Sequence, residues 1–325
     1  MMECLSGPDT AICREALELA GRAPSVHNTQ PWKWRIQPGG IDLFADAHRH
    51  LPATDPLARA LLVSCGAALH HAAVAFHVLG WGVEIHRHPN PADADHLARL
   101  TLFPRPVTDR DIGWAAAIRL RQSDRRRFPE RPLPAGALRA IAAAAAEHGA
   151  AARVVPEILL PELAAPMREA ADRHRLDSAY QAELTAWSGR TGADAGVPAR
   201  NVPPARAADE MPVRAFAEPA LREFTDGPDA AHWLVVCTSH DDTVAQVRAG
   251  EALSAMVLEA THLGLASSIQ SEPLGMIDLR DRIRGSFLHE VAHPQVMLRV
   301  GAMPTAADPL PMTPRRSVTD TVEGI

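Results

Sequence analysis

The chain has 325 residues, 46% of them hydrophobic and 22% charged, with a formal net charge of −6. That length suits two domains or one large one, the apolar share can fill a sizeable core, and the charge balance excludes nonspecific binding to nucleic acid or an acidic membrane surface. Lys33 is the sole lysine, which excludes a phosphate loop built on a glycine-flanked lysine and leaves arginine to hold any anion.

In chain order, Asp9 or Thr10 caps a first helix whose apolar stripe is Ile12, Ala16, Leu19 and Ala20. Gly21 closes it, and Pro24 prevents a restart. Two short alternating runs, 32–36 and 41–45, flank Gln37-Pro38-Gly39-Gly40 and predict a hairpin. Asp55-Pro56 opens a long helix that ends at Gly80 and is apolar on nearly every face. His70, His71 and His77 interrupt it, so it fits a buried helix better than a membrane span. Strands are predicted at 81–86 and 98–103.

A second cycle begins at Thr108, where Thr108 to Asp111 approximates a capping box ahead of a helix to about Leu120. A helix follows at 134–148, then strands at 152–155 and 233–238, a helix at 242–263, and extended chain at 265–270 and 295–300. Gly66 precedes Gly80 by the same interval that separates Gly250 from Gly264, and each pair brackets an apolar helix with a strand after it. The two cycles predict an α+β protein made of tandem degenerate repeats, 1–107 and 108–325, packed as an intramolecular pseudo-dimer through the two long helices. Residues 188–228 fit neither repeat. Pro198, Pro203, Pro204, Pro212, Pro219 and Pro228 preclude a long helix or central strand there, and the length marks a functional loop or a disordered one.

Cys4, Cys13, Cys65 and Cys237 are too scattered for a disulfide framework and read as free thiols of a cytoplasmic protein. No secretory signal is expected. His48 and His50 with Asp46, and His86 and His88 with Glu84, could each align three ligands, but such runs are usually solvated, so no metal site is expected.

Four segments carry candidate chemistry. Residues 24–32 read Pro-Ser-Val-His-Asn-Thr-Gln-Pro-Trp, a polar turn opening into an aromatic strand. Residues 121–125 read Arg-Gln-Ser-Asp-Arg; in extended chain Arg121, Ser123 and Arg125 face one side while Gln122 and Asp124 point away. Residues 264–272 read Gly-Leu-Ala-Ser-Ser-Ile-Gln-Ser-Glu, and 313–318 read Thr-Pro-Arg-Arg-Ser-Val. Taken singly, these also fit a helix-to-hairpin turn, a solvated basic run, a strand and a loose basic tail.

Together they resemble the FMN-dependent nitroreductase superfamily: its PSxxNxQPW loop, its RxSxR segment, its G-L-x-x-x stretch and its closing T-P-R-R-P-L. In ordinary members RxSxR precedes the other loop; the reversed order here resembles the Acg-type, fused-dimer branch of NAD(P)H nitroreductases. The resemblance implies a nitroreductase-like fold and one FMN. Arg121 and Ser123 would hold its phosphate and ribityl end, with Arg125 beside the pyrimidine. Pro24, Ser25, His27, Asn28 and Gln30 would meet the ring edge, Ile269, Gln270 and Ser271 would pass N5, and Arg315 or Arg316 would return to the phosphate. His27 stands where the family usually has a small polar residue, Val26 replaces a common second serine, and Ser317 replaces a proline.

Two functions follow. One is an oxidoreductase that takes hydride from NAD(P)H and reduces a nitroaromatic or quinone, needing no acid–base side chain. The other is an FMN storage or sequestration protein in which residues 188–228, with Phe216, Met211 and nearby arginines, form a lid over the ring. A monomer or weak homodimer is expected in either case.

Overall fold

The computed structural model describes residues 7–189, 193–205, 211–212, 214–224, 227–304 and 309–323; Cys4 and parts of 188–228 lie outside them. Helix α1 (Thr10–Ala20) begins on Asp9, whose carboxylate accepts from the Ile12 amide at 2.8 Å. Its buried face is Cys13, Ala16, Leu17 and Ala20, rotated slightly from the expected stripe so that Ile12 and Leu19 stay half-buried. Strands β1 (Trp32–Gln37) and β2 (Gly40–Ala45) form the expected antiparallel hairpin. Helix α2 is Arg59–Val78 and starts later than Pro56. Ala58 turns in a left-handed conformation (φ 55), and the Asp55 carboxylate reaches across that turn to accept from the Leu61 amide at 2.9 Å. Asp55 therefore caps the helix from a distance, which nearest-neighbour reasoning does not foresee. Strands β3 (Trp81–Arg87) and β4 (His96–Pro104) complete the first half.

Helix α3 (Asp109–Leu120) has the capping box formed by Thr108 and Asp111. Helix α4 (Ala137–Ala146) and strand β5 (Ala151–Val154) follow. Helices α5 (Leu160–Leu176) and α6 (Ser178–Trp187) lie where the sequence gives no periodic signal; α5 even contains Pro166. They are pinned by side chains far along the chain: His174 and Tyr180 both bond Glu272, and Arg173 pairs with Asp278 at 2.7 Å. Strand β6 (His232–Thr238), helix α7 (Thr243–His262), strand β7 (Leu265–Gln270), helix α8 (Ile277–Ser286) and strand β8 (His293–Ala302) build the second half. A short helix α9 (Val318–Thr321) leads into strand β9 (Val322–Glu323).

The first sheet has the order β3-β4-β2-β1-β9, and the second β5-β6-β8-β7. Strand β9 runs parallel to β1, so the C-terminal tail crosses back onto the first half. Each sheet packs on its own long helix, and α2 and α7 pack on one another. Among the described residues only α2 is long and apolar enough to cross a membrane, and most of it is buried inside the protein.

Glycine sets how closely those helices cross. A β-carbon on Gly66 would stand 2.0 Å from the Val247 carbonyl oxygen, and one on Gly250 would stand 2.1 Å from that of Val63. The contact is reciprocal: each glycine meets the backbone carbonyl of the residue three positions before the other glycine. One turn further on, His70 Nδ1 lies 2.7 Å from the Ser254 hydroxyl, and His71 Nδ1 reaches the same oxygen at 2.7 Å.

This polar seam is sensitive to acid. Burial, before any neighbouring charge, pushes His70 and His71 well below 6.5 and brings His77 and His148 down to about 4. The unfolded chain binds these protons near pH 6.5 and the folded one does not, so stability falls as pH drops from 6.5 toward 4. Each such histidine adds at most about 1.4 kcal/mol per pH unit to that slope. The urea midpoint at pH 5 is expected to lie well below that at pH 7.5; equal midpoints would contradict the neutral burial of these rings.

Candidate functional site

The loop after α1 is held in an unusual backbone conformation. His27 (φ 44), Asn28 (φ 55) and Gln30 (φ 51) are all left-handed, and none is glycine. Such residues persist only where surrounding contacts over-determine them. Here the Ser64 hydroxyl accepts from the Val26 amide at 3.0 Å, and the Ser25 hydroxyl accepts from the Gln30 amide at 3.0 Å. Asn28 Nδ2 donates to the carbonyls of Gly196 at 3.0 Å and Pro314 at 3.1 Å. Gln30 Nε2 donates to the Asp194 carbonyl at 2.9 Å, and its Oε1 accepts from the Arg316 amide at 2.8 Å. The loop is thus a hub that ties α2, the 188–228 segment and the C-terminal tail together.

Beside it lies a cavity whose lining includes residues of α2, α7 and β7. Pro24, Ser25, His27 and Asn28 line one side; Arg121, Ser123 and Arg125 another; Ile269, Gln270 and Ser271 a third; and Arg315 enters from the tail. The segments proposed from sequence alone therefore meet around one space. Gln30 and Arg316 are not in its lining. Gln30 spends its amide on the hub, and Arg316 donates to the Gln30 carbonyl at 3.1 Å and the Asp320 carbonyl at 2.6 Å. Alternation along 121–125 holds. Asp124 turns away to pair with Arg126 at 2.8 Å, Gln122 donates to the Leu310 carbonyl at 2.8 Å, and Ser123 pairs with Ser267 as an isolated parallel bridge to β7.

The arginines fall into two kinds. Arg59 lines the cavity but is matched: it forms two bonds to Asp241, at 2.9 and 2.6 Å, and a third to Gln295 at 2.7 Å. Arg121, Arg125 and Arg315 have no ion pair among the described residues. Arg121 and Arg315 both donate to the Arg22 carbonyl, at 3.4 and 3.1 Å, and the Nε of each is buried with no partner. Arg125 donates to the Asn201 carbonyl at 3.5 Å and stacks 4.9 Å above the Phe216 ring. Burial first, then neighbouring guanidinium groups, lowers Arg121 and Arg125 to about 10 and Arg315 to about 9. All three stay charged at neutral pH. A buried charge without a counter-ion is costly, and an anion in the cavity removes that cost.

The 188–228 segment supplies the remaining wall. Val197, Pro198, Asn201, Arg214 and Phe216 line the cavity, while Met211 packs instead near Trp233 and Val155. Thr54, Asp55 and Gln295 are further wall residues that sequence reasoning did not single out, and no local spacing marks them. Among the described residues no group of three or more histidine, cysteine, aspartate or glutamate side chains could hold a metal ion.

No protein-family model matches the chain. It is 44% identical over 319 residues to "Putative NAD(P)H nitroreductase Rv3131" of Mycobacterium tuberculosis, covering 97% of this chain and 92% of that one. It is 35% identical to "Putative NAD(P)H nitroreductase acg" of the same organism, covering 95% and 94%. Among solved structures it is similar to the FMN-dependent nitroreductase NfnB from Mycobacterium smegmatis in complex with NADPH, at 15% identity and TM-score 0.42, over 67% of this chain and 100% of that one. The structure of "a putative nitroreductase from anabaena variabilis" matches at 12% identity and TM-score 0.47, over 91% and 90%.

Proposed function

The chain belongs to the Acg-type NAD(P)H nitroreductase family, to which the mycobacterial relatives are assigned by name, and from that membership we propose that it is an FMN-binding oxidoreductase. In this reading NAD(P)H reduces the flavin and a nitroaromatic or quinone reoxidises it. The observation that carries the proposal is the trio of buried, unpaired arginines, Arg121, Arg125 and Arg315, around one cavity.

The residues present fit FMN. The Nε–H groups of Arg121 and Arg315 are buried donors without a partner, and a phosphate dianion is an acceptor that matches two guanidinium forks. When bound, FMN supplies the hydride and electron chemistry. The chain binds and orients. Arg121 and Arg315 take the phosphate, with Ser123 beside them. The Arg125 charge favours a ring that becomes anionic on reduction. Ile269, Val197 and Phe216 keep water from the ring. No side chain is required to move a proton.

We extend the proposal to the assembly. Residues 1–107 and 108–325 act as two halves of a pseudo-dimer with one FMN, the described residues of 188–228 act as its lid, and the protein works in the cytoplasm as a monomer or weak homodimer. The reciprocal contacts of Gly66 with Val247 and of Gly250 with Val63 support the two-half arrangement, because a two-fold axis would pair equivalent positions in that way.

The test is turnover. Reduced with NADH or NADPH under anaerobic conditions, the holoprotein is expected to be reoxidised rapidly by a nitrofuran, over many cycles. Reduced flavin that persists in the presence of the nitrofuran would contradict the oxidoreductase reading and leave flavin holding as the function.

A further inference from the structure

Besides the Nε atoms of Arg121 and Arg315 and the Thr54 hydroxyl, two buried polar atoms on cavity-lining residues, Asn201 Oδ1 and His27 Nδ1, lack partners, and residues 201 and 214 fix the chemistry of both. Asn201 Nδ2 donates to the Pro311 carbonyl at 2.7 Å, which settles which end of the amide is nitrogen. Its Oδ1 is then an acceptor, buried and without a partner, on a residue that lines the cavity. The second group is His27. The Arg214 guanidinium, which can only donate, contacts His27 Nε2, so the imidazole lone pair lies there. Burial and the charges of Arg214 and Arg125 keep the ring neutral, so its single proton sits on Nδ1, which is also buried and partnerless. Phe216 joins the two groups: its ring meets His27 edge-on at 5.4 Å and lies under Arg125, which bonds Asn201.

We propose that Asn201, Arg214 and Phe216 form part of the ligand-reading surface and not only a cover: Asn201 Oδ1 accepts from a ring imide N–H, and His27 Nδ1–H, in the tautomer that Arg214 selects, donates to the neighbouring carbonyl. An unmatched buried donor or acceptor is costly, so this wall selects a ligand edge that presents N–H beside C=O. The inference rests on the FMN reading, since the pyrimidine edge of a flavin is an imide of this kind. It names Asn201 as a specificity residue and Arg214 as a positioning residue.

The test compares FMN with 3-methyl-FMN, whose imide N–H is replaced by N–CH3, in fluorescence titrations of the apoprotein. The unmodified protein is expected to prefer FMN by roughly tenfold or more, the value of a hydrogen bond at a buried site. Asn201→Leu should weaken FMN by about the same factor and abolish the preference. Asn201→Ser, a smaller change, serves the same comparison should the leucine variant not fold. A preference that persists in the variants, or no preference in the unmodified protein, overturns the role of Asn201 while leaving FMN binding intact. Failure of the unmodified protein to take up either flavin overturns the FMN reading itself.

Discussion

Gly66→Ala and Gly250→Ala are each expected to destabilise the protein by about 3 kcal/mol or more, at the upper end of what overpacking costs. The added methyl at Gly66 would lie 2.0 Å from the Val247 carbonyl oxygen, and the one at Gly250 2.1 Å from that of Val63. The obstacle in each case is backbone, which cannot step aside as a flexible side chain can. The helices α2 and α7 would have to separate, which opens the seam around His70, His71 and Ser254 and loosens the join on which the cavity sits. Gly7→Ala is the control, because nothing lies within 4 Å of its added methyl. Urea denaturation reads the difference. A variant at either crossing glycine with the stability of the Gly7 control would contradict the close crossing.

Arg121→Ala and Arg315→Ala are each expected to weaken FMN binding by one to two orders of magnitude, from a loss of roughly 1.5–3 kcal/mol per charged hydrogen-bond donor. The two share the Arg22 carbonyl and repel one another, so their effects should not add. Each single change also relieves repulsion between neighbouring guanidinium groups, and the apoprotein should be no less stable than before. Asp124→Ala is predicted to leave FMN affinity nearly unchanged, since that carboxylate turns away to Arg126. Equal losses for Asp124→Ala and Arg121→Ala, measured by flavin fluorescence quenching, would contradict the facing of the 121–125 segment.

The elements that sequence reasoning found are those whose signal is local. The β1–β2 hairpin follows from alternation around a glycine turn, and α2 and α7 from long apolar runs closed by glycine. The elements it missed are held by distant partners. Helices α5 and α6 depend on Glu272 and Asp278, and no period in residues 156–187 announces those contacts. The same division runs through the site. Arg121, Ser123 and Arg125 share a face because extended chain alternates, which can be read from five residues. Gln30 and Arg316 were grouped with the cavity because motifs contain them, yet they bond one another and the hub. Asn201 and Arg214 sit in a proline-rich stretch with no period at all, and only the fold brings them to the cavity.

Titration of the apoprotein with FMN, followed by quenching of flavin fluorescence and by absorbance of the isolated complex, tests the central claim most directly. Saturable binding of one FMN per chain is expected, lost when Arg121 and Arg315 are both replaced by alanine. No binding would contradict the flavin site, and two FMN per chain would contradict the fused halves.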